Sequence, residues 1–120
     1  MPPTAARDNL ALARAIAAAA SEKKAKDIVL LDLTGFPTIT DYFVICTGLS
    51  ERQLQGIAQG IEEKVGPQYG APRNIEGLGG GGWVLMDYGG VVAHIFSPSM
   101  RAYYNLEGLW SKAPVLLRVQ

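Results

Sequence analysis

Apolar positions recur along this chain with two different periods, and these set its elements. Over residues 8–23, Leu12, Ile16 and the Ala19/Ala20 pair return at helical spacing, in a run of alanines that favours the helix. So much of that face is alanine that the helix is expected to lie flat on a sheet or a partner. Ile28-Val29-Leu30-Leu31-Asp32-Leu33 is a nearly continuous apolar run of strand length, broken at Thr34-Gly35-Phe36-Pro37. Tyr42 to Thr47 reads as a second buried strand, ended by Gly48. Ser50 and Gln53 make a capping box, and the helix they open is expected to reach about Val65. Its buried stripe is Leu54, Ile57, Ala58, Ile61 and Val65, and Gly66-Pro67 should stop it.

Residues 72–76 make a weak strand, and Gly77 to Gly82 a loop. Trp83–Asp87 and Val91–Phe96 predict a hairpin turned at Gly89-Gly90, both glycines supplying positive φ. Ser97-Pro98 starts a last helix, with Ser as cap and Pro in its first turn, ending near Trp110-Ser111. Tyr103, Tyr104, Leu106, Leu109 and Trp110 read as its inner face. The tail, Pro114–Gln120, carries no predicted element. The order α-β-β-α-β-β-β-α, with no internal repeat or linker, implies one α/β domain over 1–120. Its mixed sheet should have about five strands flanked by helices.

Composition narrows the function classes. Apolar content of 48% and charged content of 18% fit a globular chain. Eleven basic and eleven acidic residues cancel, and they also cancel within each half of the sequence. Lys23, Lys24 and Lys26 are the only local basic group, too little to grip phosphates along one face, so a protein partner fits better than nucleic acid. Arg7, Asp8 and Arg14 interrupt the N-terminal apolar run, and no run approaches membrane-spanning length, which makes the cytoplasm the expected compartment.

Candidate chemistry is sparse. Cys46 is the only cysteine and lies inside an apolar run, as a small core residue would. His94, the only histidine, shares its strand face with Val92 and Phe96 and reads as a structural, hydrogen-bonded residue. Neither a second histidine nor a cysteine pair supports a metal site, and no cofactor is implied. Gly79-Gly80-Gly81-Gly82 leads into a strand rather than a helix, so it is no phosphate cradle. Asp41 is expected to bond backbone amides in its loop, and Asp87 either to do the same at the hairpin or to meet a basic partner.

Thr47-Gly48-Leu49-Ser50 is similar to the Gly-Ser element of nucleotidyltransferases, but the paired metal-binding carboxylates of that chemistry are missing from 72–76. Strict alternation puts Trp83, Leu85 and Asp87 on one face and Val84, Met86 and Tyr88 on the other. Trp83 and Tyr88, flanked by glycines, are nonetheless the candidate anchors for a partner.

These segments resemble the ribosomal silencing factor family, also called the Iojap or RsfS family. The likeness runs through Lys26–Leu33, then Ile39–Gly48 with its Thr-Asp-Tyr-Phe-Val-Ile-Cys-Thr-Gly string, then Ser50, Arg52 and Gln53. It resumes at Glu76-Gly77, Trp83–Gly89 and Val91–Phe96, and closes with Arg101 and Tyr103–Trp110. The resemblance implies a non-enzymatic factor that binds the large ribosomal subunit through ribosomal protein fourteen, with little direct nucleic-acid contact. It would thereby hinder subunit joining and repress translation under nutrient limitation. It also implies a nucleotidyltransferase-like fold without the catalytic carboxylates, and leaves room for a homodimer of the free protein. The partner-binding set it implies is Trp83, Met86, Asp87, Tyr88, Gly89, Gly90 and Arg101. Gly90 stands where the family often has an acidic residue, and the all-glycine loop 79–82 where polar residues are usual. The tail has no assigned counterpart.

The rival class is an enzyme, a remnant nucleotidyltransferase or a hydrolase using Asp87, His94 or Cys46. A partner-binding module should expose Trp83 and Tyr88 together on one patch. An enzyme should gather carboxylates and His94 in a shared cleft.

Overall fold

Asp8 accepts the Ala11 amide at 3.0 Å and so starts helix α1, Asn9–Glu22. The computed structural model describes residues 8–120. Strand β1, Lys26–Asp32, and strand β2, Tyr42–Thr47, follow as the apolar runs predict. Helix α2, Glu51–Tyr69, opens where Ser50 Oγ accepts the Gln53 amide at 3.0 Å. Gln53 completes the cap one residue further out than expected, accepting the Leu49 amide at 2.7 Å, and it also donates to the Lys24 carbonyl. The helix does not stop at Gly66-Pro67. It runs through Pro67, because proline in the last turn removes a single donor, and ends at Gly70 with φ of 85°.

Strands β3, Asn74–Glu76, β4, Trp83–Asp87, and β5, Val91–Phe96, come next. Only Gly89, at φ 88°, takes a positive φ in the β4–β5 turn. Gly90 is therefore not needed for that reason. The last predicted helix is two, α3, Pro98–Tyr104, and α4, Leu106–Leu109. Asn105 sits between them in the left-handed region at φ 48° and ψ 53°, and the change of direction spoils the predicted inner face. Leu106 and Trp110 are partly buried, whereas Tyr103 and Leu109 are 76% and 74% exposed.

The sheet has six strands in the order β3-β4-β5-β2-β1-β6, one more than the sequence suggested. The sixth, β6, is Val115–Val119, formed by the tail and paired antiparallel with β1 through Leu30↔Leu117 and Val29↔Arg118. An edge strand without alternation, and with no tight turn to its partner, gives little sequence signal. β2 and β5 are parallel and every other pair is antiparallel, so the sheet is mixed.

Both faces are covered, unequally. On one, α1 and α2 bury a large core that includes Leu12, Ile16, Ile28, Leu30, Val44, Cys46, Leu54, Ile57, Met86 and Ile95. On the other, α3, α4 and the segment after β1 cover a smaller core of Val29, Leu31, Leu33, Ile45, Phe96 and Ala113.

A chain ending at Ala113 should therefore be destabilised, since β1 would become a bare edge. Loss of the ladder and of the Leu117 contact should cost roughly 2 kcal/mol, lowering Tm by about 8 °C in a domain of this size. Calorimetry on the truncated chain checks this, and an unchanged Tm would make β6 an ornament.

Candidate functional site

The pleat of β4 decides what this protein can present. Its residues alternate half-buried and buried, Trp83, Leu85 and Asp87 against Val84 and Met86, and the next residue, Tyr88, is buried with the second set. Across the hairpin, Trp83 pairs with Phe96, Leu85 with His94, and Asp87 with Val92. Beyond them Phe43 lies beside Val92 in the parallel pair. Trp83, Leu85, Asp87, Val92 and Phe43 thus share the face that α3 and α4 cover incompletely. Leu85 and Val92 belong to neither core, and both remain part-exposed. Ile39, Tyr103, Tyr104 and Leu109 add exposed apolar surface on the segments bordering that side. A hollow of about 150 Å³, lined by Glu76, Gly77, Trp83 and Leu85, opens next to the indole.

Trp83 is the hinge between this open face and the smaller core. Its ring stacks on Phe96 at 5.1 Å and leans on Tyr104 at 4.5 Å. Its Nε1–H donates to His94 Nδ1 at 3.2 Å. Phe43 meets His94 edge-on at 4.5 Å and Trp110 at 6.1 Å, so an aromatic row extends under the helices. Gly77 and Gly82 bring the preceding loop close to β4 and α3. A Cβ on Gly77 would collide with the Trp83 carbonyl, and one on Gly82 would come within 2.7 Å of Ser97 Oγ. Both have positive φ, so these glycines are required by the backbone as well as by space.

The expected pairing of Trp83 with Tyr88 on one patch does not form. Tyr88 is 2% exposed and lies in the core under α1 and α2, on the opposite side of the sheet. Met86 is fully buried in the same layer. The reason is the period of a strand, in which an odd separation reverses the face. Arg101 is also not free for a partner. Its Nε and Nη2 grip Glu107 at 2.8 and 3.0 Å, and its Nη1 donates to the Asp27 carbonyl and Thr47 Oγ1 at 2.7 and 2.9 Å. It clamps α3 to α4 and to the ends of β1 and β2, and its guanidinium holds the Glu107 carboxyl below the usual range.

Gly89 and Gly90 shape the turn. Gly89 donates its amide to Asp87 Oδ1 at 2.8 Å, and the Gly90 carbonyl accepts the amides of Asp41 and Tyr42. A side chain at Gly90 would strike Asn9. Asp41 does not cap backbone amides as expected; it accepts the Asn9 side-chain amide at 3.1 Å. Of the predicted set, then, Trp83 and Asp87 stand on the open face. Leu85 and Val92 stand there with them. Alternation had already put Leu85 on the Trp83 face without its being chosen as a contact residue, and the hairpin register adds Val92.

Among the described residues, Cys46, His94 and Asp87 do not gather in one cleft. Cys46 and His94 lie on adjacent parallel strands, but Cys46 opens toward α1 and α2 and His94 toward the other face. Burial pushes the Cys46 thiol up to about 12, far from a thiolate at neutral pH. Asp87 is hydrogen-bonded to its own turn. A crevice of about 520 Å³ lies between Thr47 and Leu49 on one side and Pro98, Arg101 and Ala102 on the other, and neither Cys46 nor His94 lines it. Among the described residues, no three His, Cys, Asp or Glu side chains lie close enough to hold a metal ion.

The family described as "Ribosomal silencing factor during starvation" matches residues 6–120. The chain belongs to the ribosomal silencing factor family. It is 43% identical to the ribosomal silencing factor RsfS of Bacillus subtilis over 99 residues, covering 82% of this chain and 84% of that protein. It is 35% identical to the chloroplastic Iojap protein of Arabidopsis thaliana over 106 residues, 88% of this chain and 44% of that longer protein. A crystal structure of a Chromobacterium violaceum protein superposes with a TM-score of 0.83 at 30% identity, covering 88% of each chain. One from Bacillus halodurans superposes with a TM-score of 0.74 at 39% identity, covering 91% of this chain and 96% of that one. The silencing-factor match extends to residue 120, so the tail that forms β6 is part of the family pattern and not an appendage.

Two sets of variants check these placements. Tyr88→Ala should cost about 3–4 kcal/mol, as removal of a buried aromatic does. Arg101→Ala should cost about 2 kcal/mol through lost hydrogen bonds, tempered because Glu107 is partly open to water. Urea unfolding measures both, and a Tyr88→Ala protein of unchanged stability would contradict its core position.

The second set concerns pH. His94 is 4% exposed, and burial alone lowers its pKa from 6.5 to about 4. The folded state therefore keeps it neutral while the unfolded chain takes up a proton below pH 6.5. This contribution is complete above that pH and is lost as the pH falls toward 4. Between pH 7.5 and 5 the loss should be about 2 kcal/mol. Urea midpoints for the parent and for His94→Asn should show that slope in the parent and its reduction in the variant.

Proposed function

We propose that this chain docks on the large ribosomal subunit through ribosomal protein fourteen, on the side that meets the small subunit. It prevents joining by bulk, and so lowers translation when nutrients are short. The supporting observation is the open sheet face on a member of this family. Trp83, Leu85 and Val92 give it an apolar centre, Asp87 gives it a charge, and the hollow beside Trp83 can take a side chain from the partner. Large amphipathic and apolar side chains around a shallow hollow suit a protein surface better than a nucleic-acid backbone. The charge balance agrees, since eleven basic residues are matched by eleven acidic ones.

Asp87 has one oxygen on the Gly89 amide, and a carboxylate has acceptor capacity left for a basic side chain. Steric exclusion requires no chemistry, only a body of sufficient size. The chain has a radius of gyration of 13.4 Å and extents of 42 × 32 × 23 Å, ample to hold two surfaces apart. Among the described residues no helix is long and apolar enough to cross a membrane. The cytoplasm is the proposed place of action.

Sedimentation with purified large subunits, paired with melting curves, tests this. A Leu85→Glu, Val92→Glu double variant replaces part-exposed apolar side chains, so Tm should change little. Binding should weaken by at least about 30-fold, the scale of a lost interface centre. In a subunit-association assay the parent should inhibit in proportion to its stoichiometry and without regard to nucleotide. Full binding by the folded double variant, or nucleotide turnover by the pure protein, would contradict the proposal.

A further inference from the structure

His94 is an odd choice for its site. Phe43, Trp83 and Phe96 surround it, and no charged group contributes to its pKa, which burial alone depresses. It is neutral at neutral pH, so only one ring nitrogen carries a proton. An indole N–H can only donate, which makes Nδ1 the acceptor at 3.2 Å and places the proton on Nε2. That Nε2–H is buried and has no hydrogen-bond partner among the described residues. A buried, unsatisfied donor is destabilising, and leucine or phenylalanine would fill the same aromatic pocket without it. Stability therefore does not account for histidine here. What an apolar residue cannot do is accept the Trp83 indole.

The indole has alternatives. Trp83 is half-buried, beside the loop of glycines and the hollow, and so can turn its N–H toward water if the acceptor is lost. The flanking rings, Phe96 and Tyr104, offer area but no acceptor directed at the indole nitrogen. One hydrogen bond from beneath thus selects which edge of the ring is presented.

We propose that His94 is a positioning residue for the docking face: its unprotonated Nδ1 holds the Trp83 indole in the orientation that the partner meets. A corollary is that the indole N–H is already committed, so Trp83 offers the partner its apolar surface and not a donor. The proposal rests on the reading that this face docks the large subunit, and the experiment separates the two.

Two variants of the full chain suffice. His94→Leu keeps apolar volume and removes the acceptor. His94→Asn returns an oxygen acceptor at the δ position. Three quantities are read: Tm, the Trp83 indole resonance in a proton–nitrogen correlation spectrum (assigned with Trp83→Phe), and sedimentation with large subunits. His94→Leu should melt no lower than the parent at pH 7.5, move the Trp83 indole proton upfield as a lost hydrogen bond does, and bind at least tenfold more weakly. His94→Asn should return the resonance downfield and recover most of the binding. A purely structural histidine would give the reverse, a lower Tm with an unmoved indole resonance. An unmoved resonance in His94→Leu overturns the proposal, as does binding by His94→Leu within twofold of the parent. If the resonance moves and returns as expected but the parent itself does not sediment with large subunits, positioning stands and the docking reading falls.

Discussion

What the open sheet face presents follows from the pleat of one hairpin. In β4 and β5, each side chain is sent either under the α1–α2 layer or onto the face that α3 and α4 leave partly open. The register is fixed from both ends. Tyr88, Met86 and Ile95 fill the main core, while Phe96 and His94 are sealed by the aromatic row on the other side. A slip of one residue would exchange the two sets, burying Asp87 and exposing Tyr88, and this cost is what holds Trp83, Leu85 and Val92 together at the surface. The composition of that face is thus a product of packing.

Most of the architecture could be read from the chain because local signals agreed with the global arrangement. Apolar runs of strand length, the Ser50–Gln53 cap and the glycine turn at 89 each gave the element later observed. The misreadings share a cause, which is that tertiary context overrode a local rule. Pro67 could sit in a last turn because only one donor was at stake. Asn105 took a left-handed conformation that redirected the chain and reversed the exposure expected of Tyr103 and Leu109. β6 owes its existence to the free edge of β1, a fact of topology that no window of its own residues contains.

The open face was half legible. Trp83 and Asp87 were named, and their shared face was correct by alternation. The error lay in setting that alternation aside for Tyr88 because its neighbours were glycines and its type is common at interfaces. The same hairpin that displays Trp83 must bury Tyr88. Arg101 entered the partner set through the resemblance alone, and it is engaged within the chain by a carboxylate, a carbonyl and a hydroxyl. Residues implied by likeness to a family divide here into those that stand on the face and those that hold it in shape. The second group is Tyr88, Met86, Arg101 and the turn glycines.

The central claim, that the open sheet face and not the helical layer meets the ribosome, can be tested without any loss-of-function variant. A photo-crosslinking benzoylphenylalanine is placed at Val92 on the open face or at Gln59 on the exposed side of α2, and each protein is irradiated with purified large subunits. The account predicts a crosslink from position 92 to ribosomal protein fourteen and none from position 59. Crosslinks from position 59 with none from position 92 would contradict it.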